Sequence, residues 1–559
     1  MTWAAREMNL IVRRPCTCFR HRVRGAAAAL WIVAALVAAP AKSQGVSKTQ
    51  QNHAAEHARP RPDVVRFRAR VNAVLGQASA NRLNWGIEVA DRDTGESVFE
   101  LNGDHFFTPA SNAKIVTTAL ALATLGGDYR FHTTLESKAA MGSDGLLAGD
   151  LVLVGRGDPD LSNRHLPYAG RGDRVGPVER VLAELADQAV AKGLHQVDGD
   201  IVADDSYFPY DPYPTGWSSG DLFFAFGAPV SAIAFNDNTI SVVIAPGASV
   251  GDPAVIQTEP AAALSTFREE ITTGAPGTPS DFAVVRQPGI QFILLRGTIA
   301  QGRTPTRLEI AMTAPAETAA LALKQLLEAR GVLITGSTRA QHAPPPFSNV
   351  AGEPIIPDAA TPLPQPGEVT LAEHISEPLL ETIRFTNKMS HNLHAELLLR
   401  AVGREKLGVG STSAGLKAER EFLKTAGVPE GDILLSDGSG LARDDLVTPR
   451  AIVTLLRYAA QQPWGGDFLS TLPVAGVDGT LEGRMTGTAA SGSIEAKTGE
   501  IEHVRALSGY ATTRGHESLA FAIFYNNNPQ HGVATTAPVD AIATALVETL
   551  GTSSGAKKR

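Results

Sequence analysis

Apolar and polar positions follow two different periods along this chain. In Trp85-Gly86-Ile87-Glu88-Val89-Ala90 the alternation is partly two-residue, a turn signal follows from Asp91 to Gly95, and Ser97-Val98-Phe99-Glu100 resumes it, which predicts a β-hairpin. From Ser111 to Leu125 there is neither Gly nor Pro, Ala and Leu dominate, and Gly126-Gly127 ends the run, which predicts a helix with Ser111 at its start. From about residue 130 to about residue 340 short β-like runs, such as Leu151-Val152-Leu153-Val154 and Thr239-Ile240-Ser241-Val242-Val243-Ile244, are separated by Gly, Pro and Asp. A proline-rich passage, Pro344 to Pro366, closes that stretch, and helical patterning returns from Leu371 to about Gly403. Two strand-like runs, Leu507 to Thr513 and Leu519 to Asn526, precede a final helix from Pro538 to Leu550.

The 559 residues exceed what one hydrophobic core usually serves, so two or three compact units are expected. Residues 1–41 read as an export signal: arginines at 13, 14, 20, 22 and 24 precede an apolar run from Ala26 to Ala39 that ends in Ala39-Pro40-Ala41. That run is shorter than the roughly 20 residues needed to cross a bilayer, and no later stretch is long and apolar enough, so the exported chain is expected to keep no membrane span. Residues 42–62 are expected to be a flexible linker, and 551–559 a disordered tail. Between them, 63–130 and 360–550 are expected to form one split domain around an inserted β-rich region, 131–359, of one or two domains.

Both cysteines, Cys16 and Cys18, lie inside the signal, so the exported chain has no thiol for disulfides or cysteine catalysis. The formal charge is −8; residues 1–41 carry six Arg against one Glu, and their removal leaves about −13. With no Lys/Arg cluster outside the signal, nucleic acid is not an expected partner.

Three short strings carry candidate chemistry: Ser111-Asn112-Ala113-Lys114, Ser390-His391-Asn392 and Lys497-Thr498-Gly499. Ser111 and Lys114, three apart on a first helical turn, share a face, so the amine can reach the hydroxyl. Serine needs a base to become nucleophilic, and lysine can be that base when its pKa falls toward neutrality. Burial and a second cation both lower it, and Lys497 is the candidate cation. A helix start adds free N–H groups that can stabilise a developing oxyanion. Ser390 is a candidate proton carrier and Asn392 a candidate partner of Lys114 or of a substrate amide. Lys497 and Thr498 suit a terminal carboxylate, and Gly499 permits close approach of a substrate backbone. Each string alone also reads as an ordinary cap or turn; their order and number make the case. His391, His394 and Glu396 have the composition of a metal cluster, but a serine relay requires no metal, and none is expected. Asp437-Gly438-Ser439-Gly440 reads as a turn, with Arg443 beside it as a possible substrate contact.

The strings and their surroundings resemble the D-alanyl-D-alanine carboxypeptidases of the class C low-molecular-mass penicillin-binding proteins, peptidase family S13. The carriers are Pro109-Ala110-Ser111-Asn112-Ala113-Lys114, Gly157-Asp158-Pro159, Asp204-Asp205-Ser206-Tyr207-Phe208 with Gly216-Trp217, and Ser376-Glu377-Pro378-Leu379. Asn387-Lys388-Met389-Ser390-His391-Asn392 with Ala395-Glu396, Asp437-Gly438-Ser439-Gly440-Leu441 and Lys497-Thr498-Gly499 complete them. The 279-residue step from Ser111 to Ser390 is similar to that family's large insertion. The resemblance implies an α/β (α+β) fold: a penicillin-recognising, serine transpeptidase-like domain with an antiparallel sheet flanked by helices, plus inserted β-rich domains. It implies acylation of Ser111 by a peptidoglycan stem peptide, release of D-alanine and hydrolysis of the ester, with β-lactams as covalent inhibitors and no cofactor. Lys114 would be the base, Ser390 the proton shuttle, and Asn392, Lys497 and Thr498 the substrate holders. The N–H groups of Ser111 and Glu500 would form the oxyanion hole.

Two positions depart from the family pattern. His391 replaces an acidic or amide residue in the second string, and Glu500 stands where a small hydroxyl residue is usual. A carboxylate at Glu500 is expected to disfavour a free substrate carboxylate and to shift preference toward an internal crosslink. The alternatives that the sequence leaves open are a serine β-lactamase or esterase with the same toolkit, and a non-catalytic wall-binding scaffold.

Overall fold

A computed structural model describes residues 61–551 apart from 79, 171–173, 262–265, 286–291, 346, 349–353, 356–366, 368 and 530–534. The expected signal, most of the linker, the tail from residue 552 and much of the proline-rich passage lie outside the described residues.

The antiparallel sheet at the heart of the molecule has five strands in the order Ser97–Leu101, Asn84–Asp91, Ser518–Asn526, Val504–Thr512 and Ile494–Ile501. Sequence-distant ends of the chain meet in it, because Asn84–Asp91 pairs along its whole length with Ser518–Asn526. The run Ser518-Leu519-Ala520-Phe521-Ala522-Ile523-Phe524-Tyr525 is almost wholly apolar because both faces of its strand are covered. Leu519, Phe521, Ile523 and Tyr525 face helices Pro62–Leu75 and Ala537–Thr549, whereas Ala520, Ala522 and Phe524 face helices Ala113–Leu125 and Pro449–Ala460. Small alanines on the second face let helix Pro449–Ala460 sit close to the sheet, and the same core takes in helix Ala113–Leu125. That helix is buried on every side from Ala113 to Leu122, which explains its lack of a polar stripe.

A second five-stranded sheet, of mixed direction, has the order Thr338–Ala343, Ile201–Pro209, Leu151–Val154, His132–Ser137 and Val369–Ile375. Helices Arg180–Ala191 and Pro315–Glu328 pack on it, sharing a core with Leu153, Val197, Ile201, Leu182, Leu185, Ala319 and Leu323. Two three-stranded sheets adjoin it: Thr306–Ala311, Thr239–Ala245 and Val255–Glu259 in one, Thr266–Gly274, Phe292–Ala300 and Asp281–Val285 in the other. Among the described residues the inserted region is thus rich in strands but carries two α-helices of its own.

The sequence reading placed residues from Leu371 in a helix and began the second part of the split domain at 360; the structure corrects both. Val369–Ile375 is a strand paired antiparallel with His132–Ser137, so it belongs to the inserted sheet, and helix begins only at Leu379 after Pro378. The insert therefore enters and leaves side by side. Its neck is closed by Phe131 N donating to Ser376 Oγ at 2.9 Å and Ser376 N donating to the Phe131 carbonyl at 3.0 Å. A small apolar cluster of Tyr207, Phe208, Val230, Ala232 and Ala234 against Leu393 and Leu397 seats the insert on helix Asn392–Leu407. No helix among the described residues is long and apolar enough to cross a membrane.

Candidate active site

Ser111 lies in a single 3-10 turn, Ala110–Asn112, rather than in the helix itself, which starts at Ala113. Ala110 is held at φ 49°, a left-handed conformation costly for a residue with a Cβ, and is fully buried. Two contacts over-determine this turn. Asn112 Nδ2 donates to the Lys497 carbonyl at 2.9 Å, tying the turn to strand Ile494–Ile501. Gly440, at φ 78°, lies so close that a Cβ on it would stand 1.9 Å from the Ala110 carbonyl oxygen.

Lys114 is completely buried beneath this turn. Its Nζ is 2.8 Å from Ser111 Oγ, 2.7 Å from Asn392 Oδ1 and 2.6 Å from the Ser439 carbonyl oxygen. Burial pulls its pKa down to about 7 against the opposing pull of Asp437, Glu396 and Asp445. The geometry then fixes the direction of its lone pair. An amide oxygen and a carbonyl oxygen can only accept, so they take both protons of a neutral amine and leave the lone pair facing the Ser111 hydroxyl. Of the two causes expected from the sequence, burial and Lys497 as a second cation, desolvation is the one that lowers this pKa. Repulsion between the amines appears instead on Lys497, also fully buried, whose pKa is driven well down by burial and then by Lys114.

The second string breaks the helix at the right place. Helix Leu379–Met389 ends at Ser390, which adopts φ 60°, and helix Asn392–Leu407 begins two residues later with His391 as its cap. This corner aims Ser390 Oγ at Lys497 Nζ, 2.8 Å away, and lets Asn392 reach Lys114. Lys497 Nζ also donates to the Thr498 carbonyl at 2.8 Å, and Thr498 Oγ1 pairs with Thr480 Oγ1 at 2.9 Å. Gly499 is buried where a Cβ would stand 2.4 Å from the Pro109 carbonyl oxygen, so its glycine serves the approach of the strand to the nucleophile turn. Glu500 is exposed and pairs with Arg505 at 2.7 Å across the sheet register. Arg443 is also exposed and pairs with Asp221 of the insert at 3.3 Å.

The structure thus brings Ser111, Lys114, Ser390, Asn392, Lys497, Thr498 and Gly499 together, with Glu500 next along the strand and Arg443 on the turn that carries Ser439. It also supplies partners that the sequence did not single out. The Phe226 carbonyl accepts from Asn392 Nδ2 at 2.8 Å, and the Ser439 carbonyl holds Lys114. Asp437 organises the turn read from sequence only as Asp-Gly-Ser-Gly: its carboxylate accepts from the N–H groups of Ser439, Gly440, Leu441 and Ala442, from Ser439 Oγ and from Trp217 Nε1. Glu396 turns away from His391 and His394 to accept from Gly438 N at 3.0 Å, so the grouping suggested by composition does not form; Asp237 of the insert joins the two histidines instead.

A buried serine–lysine pair roofed by a second serine–lysine pair, at the edge of an antiparallel sheet with helices on both faces, defines a penicillin-recognising, serine transpeptidase-like enzyme with extra inserted domains. The fold agrees: penicillin binding protein 4 (dacB) from Haemophilus influenzae superposes with a TM-score of 0.70 at 24% identity, covering 86% of this chain and 99% of that one. Residues 67–546 match the model of the D-Ala-D-Ala carboxypeptidase 3 (S13) family, and the chain belongs to that family. Among its relatives, the D-alanyl-D-alanine carboxypeptidase of Actinomadura sp. (strain R39) is 34% identical over 496 residues, 87% of this chain and 85% of that one. The D-alanyl-D-alanine carboxypeptidase DacB of Haemophilus influenzae is 27% identical over 79% of this chain and 85% of its own length.

Proposed function

We propose that this chain is an exported serine-type DD-peptidase that hydrolyses D-Ala-D-Ala termini, and crosslinks, of peptidoglycan stem peptides and is trapped as an acyl-enzyme by β-lactams. The observation that carries this reading is the lone pair of Lys114 aimed at Ser111 with both amine protons already engaged. Ser111 Oγ attacks the carbonyl carbon of the penultimate D-alanine as its proton passes to Lys114 Nζ. The new C–O bond forms, the C–N bond breaks, and the proton is delivered through Ser390 Oγ to the departing D-alanine nitrogen. Water then adds to the ester and restores Ser111. The N–H groups of Ser111 and Glu500 are assigned to the oxyanion, and Asn392, Lys497, Thr498, Gly499 and Arg443 to holding substrate. The relatives, both D-alanyl-D-alanine carboxypeptidases by name, support the reaction class.

Labelling with a fluorescent penicillin tests it directly. The wild-type chain is expected to hold one covalent label that Ser111→Ala abolishes, and to release D-alanine from a D-Ala-D-Ala pentapeptide. Labelling that survives Ser111→Ala, or a wild-type chain that neither labels nor cleaves, overturns the assignment.

A further inference from the structure

The insert grips the second string at a buried point that the reaction described above leaves unused. Asn236, Asp237 and Asn238 run through three consecutive left-handed conformations, φ 49°, 54° and 53°, in a fully buried segment. Such a run in residues with side chains is costly and persists only where its surroundings hold it. Here Asn236 Nδ2 donates to the Thr239 carbonyl and Asn238 Nδ2 to the Pro229 carbonyl, each at 2.8 Å, while Asn236 N donates to the Leu161 carbonyl at 2.9 Å. The product of the strain is the position of Asp237, whose carboxylate is turned to the start of helix Asn392–Leu407.

Two imidazoles meet it there. His394 Nε2 lies 3.3 Å from Asp237 Oδ1 and His391 Nε2 lies 3.8 Å from Oδ2. His391 Nδ1 accepts from His394 N, so the proton of a neutral His391 sits on Nε2, the nitrogen facing Asp237. The rings meet at a tilt of 54° with centroids 4.2 Å apart, and both lean on Phe385. Arg164 closes the cage, its guanidinium 2.7 Å from Asp237 Oδ2 and over the Phe385 ring, and Arg174 stands 3.8 Å from the same oxygen. Asp237, His391 and His394 are near enough to share a cation, but two guanidiniums already occupy the charge of the one carboxylate, so the cluster is built for orientation rather than for metal.

His391 is flanked by Ser390, held at φ 60°, and by Asn392, hydrogen-bonded to Lys114. We infer that Asp237 is a positioning residue: through its hydrogen bond with His394 Nε2 and its carboxylate 3.8 Å from the His391 ring it fixes the corner on which Ser390 and Asn392 stand, making the inserted region a working part of the proton relay. The inference rests on the peptidase reading given above, and it explains how histidine serves in the middle of the second string.

The test uses the full chain and its rate of acylation by a fluorescent penicillin. Asp237→Asn is expected to slow acylation about tenfold, and His391→Gln by a similar factor. The double variant is expected to be no slower than the slower single, because both act through one contact. Nitrogen-15 spectra of the histidine rings are expected to show Nε2–H tautomers for His391 and His394 in the wild type and to lose that pattern for His394, the ring hydrogen-bonded to Asp237, in Asp237→Asn. Asp237→Asn also leaves Arg164 without its anion and can weaken the fold; His391→Gln leaves the Asp237–Arg164 pair intact and decides the matter on its own. Wild-type acylation rates in His391→Gln, multiplicative losses in the double variant, or an unchanged tautomer pattern in folded Asp237→Asn would each overturn the inference. A failure of the underlying peptidase reading looks different, since there the wild type itself goes unlabelled or Ser111→Ala keeps its label.

Discussion

Lys114 and Asn392 lie 278 residues apart in the chain, yet Nζ donates to Oδ1 at 2.7 Å, and the same amide donates back into the insert at the Phe226 carbonyl. The amine is therefore held by the second string while it contacts the nucleophile, and its charge state governs turnover. Lys114 is a base only when neutral, and its pKa is lowered to about 7. kcat/KM and acylation rate are expected to rise with pH through about 7 and to fall tenfold per pH unit below it. Lys114→Arg, charged at every accessible pH, is expected to lose at least about a thousandfold with no such limb.

Asn392→Asp would set a carboxylate against the same amine. An adjacent negative charge favours the protonated form, so the acid limb is expected to move up by about one pH unit or more, with a smaller loss above pH 9 than at pH 7. A pH–rate profile of the variant that overlays the wild type would remove Asn392 from the control of Lys114.

Gly499→Ala brings a Cβ to 2.4 Å from the Pro109 carbonyl oxygen and 2.9 Å from the Ala506 side chain. Backbone cannot yield as a flexible side chain would, so the strand must move off the nucleophile turn. Acylation is expected to fall by about a hundredfold, since small misplacement of reacting groups carries such costs. Stopped-flow penicillin binding measures it.

Glu500 reaches solvent but is paired with Arg505. A half-screened carboxylate beside the substrate's terminus is worth about 0.5–1 kcal/mol, or roughly twofold to fivefold in selectivity. Glu500→Thr is expected to raise kcat/KM on a free D-Ala-D-Ala pentapeptide relative to a crosslinked dimer by that factor. An unchanged ratio would mean that the ion pair has already neutralised Glu500.

Asp437→Ala strips the acceptor from four backbone N–H groups, a hydroxyl and an indole, all in a buried turn. Leaving such donors unpaired is expected to cost about 3–5 kcal/mol, read as a lowered thermal midpoint, together with slower acylation as the Ser439 carbonyl loses its place over Lys114.

The catalytic strings were legible because their chemistry is local. Ser111 and Lys114 are three residues apart, and the hairpin, the final strands and the closing helix follow their own periodicities. What escaped was decided by tertiary contacts. The apolar start of Val369–Ile375 suits a helix or a strand equally well, and only its pairing with His132–Ser137 selects strand. Lys114 owes its pKa to a burial that no spacing encodes, and Phe226 contributes a carbonyl, which every residue possesses. Asp237 sits in an unremarkable Phe-Asn-Asp-Asn stretch; a run of Asn and Asp tolerant of left-handed backbone was the signal present, and it reads equally as an exposed turn.

Because residues 131 and 376 are stitched to each other, the large inserted region could be cut out at a single seam and the free ends joined with hardly any slack to absorb. Geometrically it is a cassette. Chemically it is not, since excision would carry off the Phe226 carbonyl and the Asp237 carboxylate and strip one wall from the remaining enzyme. A miniaturised version of this protein would keep its nucleophile and lose the brace behind its proton path.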